Sequence, residues 1–258
     1  MLAYSLMKLM SRIACVQPTC FNDALAYALG QIGWLATPKW RRYMAKENVK
    51  ECLGVSETEA ERIAKESVTR FGRMLIEVLR YPLINQANFR NLVHFEGLEH
   101  LEEAYAVIMC TAHYGNWEML GASMALLGYP ILSITRKQND GDADRFINEY
   151  RQMVGQHVTY NHGKSSMLSI GRYLKDKHLV GILYDQDSAH TGEHLELFGK
   201  PARVPDGAAQ LARVFKAPIV PLFMHNQPDG TLTAVIHPCF HADPQLSREE
   251  NSHVIMEK

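Results

Sequence analysis

Four short apolar runs, Ala106–Cys110, Pro130–Thr135, Leu179–Tyr184 and Ile219–Met224, alternate with amphipathic stretches near 116–127, 142–154, 165–175 and 206–216. Uninterrupted apolar runs this short read as strands buried on both faces, and helical stretches between them are the crossovers of parallel strands. The alternation predicts an α/β domain over residues 91–258, a mixed, mostly parallel sheet flanked by helices. Sheets of this kind gather their chemistry just beyond the carboxyl ends of the strands. The residues following the first three runs are His113, then Arg136, then Asp185 with Asp187. A base, a cation and a carboxylate pair at equivalent strand ends mark a candidate site.

The start of the chain follows a different grammar. The 258 residues carry a formal charge of −1, which offers no general attraction to nucleic acid. Residues 1–50, however, hold seven Lys or Arg against Asp23 and Glu47. In the same stretch Leu2, Leu6, Leu9, Ile13 and Val16 recur at helical spacing, and the uncharged run from Ala24 to Pro38 contains Tyr27, Leu29, Ile32, Trp34 and Leu35. Neither run supplies the ~20 apolar residues of a membrane span. The expectation is a basic, apolar helical segment lying in a membrane interface, with Trp34, Trp40 and Tyr43 at headgroup level. An amphipathic helix opening at Ser56, with Glu59 three residues on and Tyr81-Pro82 as its stop, links this segment to the α/β domain over residues 51–90.

Five scattered cysteines, with no C-x-x-C pair, argue against a disulfide framework or a thiolate zinc site, and the chain reads as intracellular. The most informative strand end is Thr111-Ala112-His113-Tyr114-Gly115-Asn116-Trp117-Glu118. On one continuous helix five residues advance about 500°, leaving His113 and Glu118 roughly 140° apart. They meet only if His113 sits in a strand-to-helix turn loosened by Gly115, with Asn116 as N-cap and Glu118 in the first helical turn. A carboxylate on one imidazole nitrogen fixes the tautomer and leaves the other nitrogen basic. With Cys110 on the strand and no serine nucleophile beside it, the substrate's own hydroxyl is the expected nucleophile.

The blocks TAHYGNWE, ITRKQND and LYDQD…LFGKPARVPDGAAQLARVFKAPIVPLF resemble, in order and spacing, the bacterial late lipid A acyltransferases of the lysophospholipid acyltransferase superfamily. These are membrane-associated enzymes that add secondary acyl chains to a lipid A precursor. The His-x4-Glu motif matches at His113 and Glu118, and an arginine block at Arg136. An Asp-Gln block matches at Asp185-Gln186, a Phe-Gly-x-Pro-Ala segment at Phe198, Gly199, Pro201 and Ala202, and a proline-framed strand at Pro218 and Pro221.

The resemblance implies an acyltransferase working from an acyl thioester, on acyl carrier protein or as acyl-CoA, onto a glycolipid hydroxyl at the cytoplasmic face of a bacterial inner membrane. His113 takes the hydroxyl proton, Glu118 orients the ring, and Arg136 binds phosphate. Asp185 holds that arginine or a sugar hydroxyl, while Asn116 and Gly199 shape the substrate pocket. No metal or other cofactor is required. The same chemistry on a phosphatidylinositol mannoside or a lysophospholipid is the near alternative. Ser247 and Glu250 open a helix barely three turns before Lys258, which suggests a truncated product and keeps an inactive lipid-binding form in view. His190-x-x-Glu193-His194 fits a zinc-protease pattern formally, but Gly192 breaks the helix that such chemistry needs.

Overall fold

The computed structural model describes residues 2–102, 106–161, 163–186 and 192–257. The chain divides into two compact units, Met1–Leu83 with Glu196–Lys200, and Ile84–Leu195 with Pro201–Lys258.

The first unit is built from α1 (Leu2–Val16), α2 (Thr19–Ala36), α3 (Lys39–Leu53) and α4 (Glu57–Leu79). Prolines set the starts of α2 and α3, because Pro18 and Pro38 cannot continue the preceding helix and stand at the next N-cap. Ser56 caps α4 by accepting the Glu59 N–H at 3.2 Å, while the Glu59 carboxylate turns to Arg62. The close approach of α2 and α4 depends on two glycines. A Cβ on Gly30 would lie 2.4 Å from Thr69 Cα, and one on Gly72 would lie 2.7 Å from the Ala26 carbonyl oxygen. Ser11 Oγ donates to the Leu79 carbonyl at 2.6 Å and ties α1 to the same helix. Residues 51–83 therefore pack with residues 2–50 in one unit, so the helix expected as a link is part of the N-terminal body.

What this unit does not bury is as telling. Leu2, Leu6, Leu9, Ile13 and Val16, the predicted stripe, are all exposed, as are Tyr27, Ile32, Leu35, Trp40, Tyr43 and Met44. Trp34 corrects the expectation made for it: it is buried, with the Arg42 guanidinium 5.7 Å from its ring centre. Among the described residues no helix is long and apolar enough to cross a membrane.

From residue 84 onward the chain runs β1 (Val93–Glu96), α5 (Glu99–Glu102), β2 (Ile108–Thr111), α6 (Trp117–Leu126), β3 (Ile131–Thr135), α7 (Gly141–Met153), β4 (Gln156–Tyr160), α8 (Lys164–Lys175), β5 (Leu179–Leu183), β6 (Glu193–Leu197), β7 (Lys200–Val204), α9 (Gly207–Phe215), β8 (Ile219–Asn226), β9 (Leu232–Ile236) and α10 (Arg248–Met256), all in the second unit except the tip of the β6–β7 hairpin, Glu196–Lys200. Seven of the described strands form one sheet in the order β1-β9-β8-β2-β5-β3-β4, parallel at every step except β8–β9. The four apolar runs are its centre. Ile108, Cys110, Leu132, Val180 and Ile219 pack with Ile170 and Leu174 of α8, Ala208, Ala209, Leu211 and Ala212 of α9 and Ile255 of α10. α6 packs on β8, β3 and β4. α10 opens with the complete Ser247–Glu250 capping box and docks on α9 through Gln210 Nε2 donating to Ser252 Oγ at 3.0 Å.

The strand order decides what meets at the carboxyl edge. β5 lies between β2 and β3, so the residues following those strands converge. β8 pairs with β2 only through Pro221, which has no N–H to extend the ladder, and then with β9 alone. That leaves the end of β2 free to turn over β8.

Candidate active site

The turn after β2 is held by a glycine that nothing else can replace. Gly115 has φ +59°, and a Cβ there would sit 1.7 Å from the Met224 carbonyl oxygen of β8. Next to it, buried Asn116 caps α6 by accepting the Met119 N–H at 2.8 Å. Its amide oxygen is committed to the helix end, so Asn116 builds the turn. The result is a half-exposed His113 at the edge of the sheet, its ring edge-on to Trp117 with centroids 4.8 Å apart. Tyr114 beside it reaches His225 Nδ1 with its hydroxyl at 3.1 Å.

The carboxylate on His113 is Asp185, not Glu118. Asp185 Oδ1 lies 2.7 Å from His113 Nδ1, and Oδ2 accepts the His113 backbone N–H at 2.8 Å. The register explains this: Thr111 and Leu183 are partners at the ends of adjacent parallel strands, and Tyr184 N–H still reaches the Thr111 carbonyl at 3.2 Å. Two residues beyond each strand, the side chains meet. Asp185 thus holds the imidazole, a role the sequence reading had given to Glu118. Partial burial opposes its charge, but the bonds from the His113 ring and backbone outweigh that and hold the carboxyl below its usual range. With Nδ1–H given to Asp185, Nε2 carries the lone pair, and the Gln186 amide nitrogen approaches it at 3.4 Å.

Glu118 faces inward from the first turn of α6. It is buried and gripped by Arg151 of α7, whose Nε and Nη2 donate to its two oxygens at 2.9 and 2.5 Å. Arg151 also reaches Asn148 Oδ1 at 3.4 Å, and Asn148 leads to Asp144. Asp144 accepts from Tyr160 Oη at 2.6 Å and from the Gln138 N–H at 2.9 Å. α7 therefore anchors both the helix after the His113 turn and the loop after β3. That loop carries Arg136, which is exposed and makes no ion pair among the described residues. Arg151 and Asn148 escaped the sequence reading because nothing local marks them; Arg151 stands 33 positions from Glu118.

The remaining sequence candidates fall elsewhere. Gly199 is at the tip of the β6–β7 hairpin with φ +72° and nothing near the position of a Cβ; it shapes a turn of the first unit. Asp187, His190 and Thr191 lie outside the described residues, and Glu193 and His194 lie on a strand, with Arg203 Nη2 3.0 Å from His194 Nε2. Cys110 is fully buried, and burial pushes its thiol up to about 12, so it is no nucleophile. A groove of about 880 Å³ runs along α8, lined by Met167, Leu168 and Phe215 among others, and the His113 cluster does not line it.

An imidazole with one nitrogen fixed by a carboxylate and the other met by the Gln186 amide at a long 3.4 Å, with no protein nucleophile alongside among the described residues, is equipped to deprotonate a bound hydroxyl. The sequence profile of the family described as "Bacterial lipid A biosynthesis acyltransferase" matches residues 10–257. The chain belongs to this family. It is an acyltransferase, and the match takes in both structural units. Among characterised proteins it is similar to the phosphatidylinositol mannoside acyltransferase of Mycobacterium tuberculosis (strain ATCC 25618 / H37Rv), 26% identical over 223 residues, which are 76% of this chain and 70% of the relative. The phosphatidylinositol mannoside acyltransferase of Mycolicibacterium smegmatis (strain ATCC 700084 / mc(2)155) is 22% identical over 174 residues, 65% of this chain and 57% of the relative.

Proposed function

We propose that this acyltransferase moves a fatty acyl chain from an acyl thioester, on acyl carrier protein or as acyl-CoA, to a hydroxyl of a glycolipid at a membrane surface. The observation that carries the reading is His113, braced by Asp185 through Nδ1, with its Nε2 lone pair at the strand edge held only by a long 3.4 Å approach of the Gln186 amide among the described residues. Nε2 accepts the proton of the acceptor hydroxyl as its oxygen bonds to the thioester carbonyl carbon. The tetrahedral adduct then collapses, the C–S bond breaks, and the imidazolium returns the proton to the departing sulfur. Asp185 stabilises the imidazolium between those steps. General-base help of this kind is worth ~10²–10⁴ in rate. Arg136, exposed one strand beyond Asp185, suits an acceptor phosphate, which a guanidinium binds through two oxygens at once.

Membrane association rests on the exposed apolar stripe of α1 and the exposed aromatics of α3, set among Lys8, Arg12, Lys39, Arg41, Arg42 and Lys46. Each cation near an anionic surface contributes roughly 1 kcal/mol. We place the enzyme at the cytoplasmic face of a bacterial inner membrane, lying in the interface. The family description favours a lipid A precursor as acceptor; the relatives' names favour a phosphatidylinositol mannoside. The deciding experiment offers each acceptor, with acyl carrier protein thioester or acyl-CoA, to the wild-type protein and to His113→Ala, and reads products by mass spectrometry. One added acyl chain on one acceptor, absent with His113→Ala while folding is intact, is the expected result. Transfer persisting in His113→Ala overturns the mechanism.

A further inference from the structure

The β6–β7 hairpin closes through two residues, Phe198 and Gly199, with φ +53° and +72°. Positive φ at both central positions is the requirement of a type I′ turn, which favours Asn-Gly and disfavours a bulky side chain at the first position. Phe198 gains no packing in exchange, being 66% exposed, and its neighbour Leu197 is 53% exposed. A large apolar residue in a sterically poor position, left facing solvent beside another, is a local rule broken without a compensating contact among the described residues. The tip groups with the N-terminal helices: Lys200 Nζ lies 3.1 Å from Glu51 Oε2 of α3, the helix carrying exposed Trp40, Tyr43 and Met44. Arg41 lies over the Trp40 ring, 5.0 Å from its centre, and Lys46, paired with Glu57 Oε1 at 2.6 Å, lies 5.8 Å from the Tyr43 ring centre, so the exposed aromatics of this helix have cations beside them.

We infer that Leu197-Phe198 is a second membrane-inserting element, a wedge that enters an anionic bilayer beside α3. The inference rests on the membrane association proposed above. The cations of α1 and α3 commit the occupant to an anionic lipid surface, and a protruding two-residue tip fits the acyl–headgroup boundary.

The test exploits the turn chemistry. Phe198→Asn supplies the residue that the turn prefers, so its Tm stays level or rises; its affinity for vesicles of equal parts phosphatidylglycerol and phosphatidylethanolamine falls at least about tenfold, the scale of one withdrawn phenylalanine. Leu6→Glu/Leu9→Glu on α1 is the companion variant. Unchanged vesicle affinity in Phe198→Asn, while the α1 variant loses binding, overturns the wedge and leaves the membrane reading standing. A fall in Tm accompanying the loss assigns Phe198 to internal packing and also overturns it. A wild-type protein that ignores the vesicles overturns both readings.

Discussion

Two carboxylates serve the His113 turn, and replacing each by its amide separates their roles. Asp185 is about one-third exposed and makes one bond to the ring and one to the backbone of His113. Asn at 185 keeps one acceptor oxygen but turns an NH₂ toward the other donor. If the amide faces the ring, it favours the Nε2–H tautomer, whose Nε2 cannot take the hydroxyl proton. Net hydrogen bonds to a charged group are worth about 1.5–3 kcal/mol, and solvent screening reduces this to about 1 kcal/mol here. Asp185→Asn therefore lowers Tm by only a few degrees, while acyl transfer falls ~10²–10⁴-fold.

Glu118→Gln behaves in the opposite way. Both partners of the Glu118–Arg151 pair are nearly buried, so neutralising one strands a guanidinium charge away from water. Breaking such a pair costs about 3–5 kcal/mol, a Tm drop of roughly 6–20 °C at this chain size. Thermal melts and single-turnover transfer to the glycolipid acceptor, run on both variants, give the comparison. Asp185→Asn retaining activity within about tenfold of wild type, or Glu118→Gln abolishing it at unchanged Tm, refutes the assignment.

Two further outcomes follow from the same contacts. Gly115→Ala forces a Cβ into the Met224 carbonyl at a positive φ; a loss of at least about 3 kcal/mol is expected, read by denaturant unfolding, and wild-type stability would show that the turn can relax. Asp185 titrates below its ordinary value in the fold, so its contribution is full above its unfolded pKa of about 3.9 and is lost as pH falls through the lower folded value. The Tm gap between wild type and Asp185→Asn should therefore narrow between about pH 5 and pH 2; a gap constant over that range contradicts the depressed carboxyl.

The central strands were legible because burial on both faces leaves an uninterrupted apolar run, as in Ile108–Thr111 and Leu179–Leu183. Local caps were legible too: Ser56, Asn116 and Ser247 each accept the N–H three residues on. β4, Gln156–Tyr160, was missed because it is an edge strand with polar and half-buried positions, and β1, Val93–Glu96, for the same reason at the opposite edge. The His113–Asp185 pair was out of reach for a different reason. The two residues are 72 apart, and only the strand order, with β5 beside β2, brings them together. The sequence places both at strand ends but carries no local signal of which ends are neighbours.

The His-x4-Glu spacing acquires a meaning different from a contacting dyad. From the last residue of β2, two steps reach the histidine, two more reach the glycine that lies against β8, and the helix opens on Asn116. Glu118 is then the second residue of α6, pointing away from the ring and into the sheet-side packing, where Arg151 waits on α7. An interval longer or shorter by one residue would rotate the carboxylate about 100° off Arg151, and one shorter by two would place it on the cap itself. The motif thus fixes the histidine by anchoring the helix behind it, and the carboxylate that touches the ring comes from another strand. The same anchor helix holds the Arg136 loop through Asp144 and Gln138, so disturbing Glu118 should weaken the base and the candidate phosphate site together, whereas disturbing Asp185 should affect the base alone.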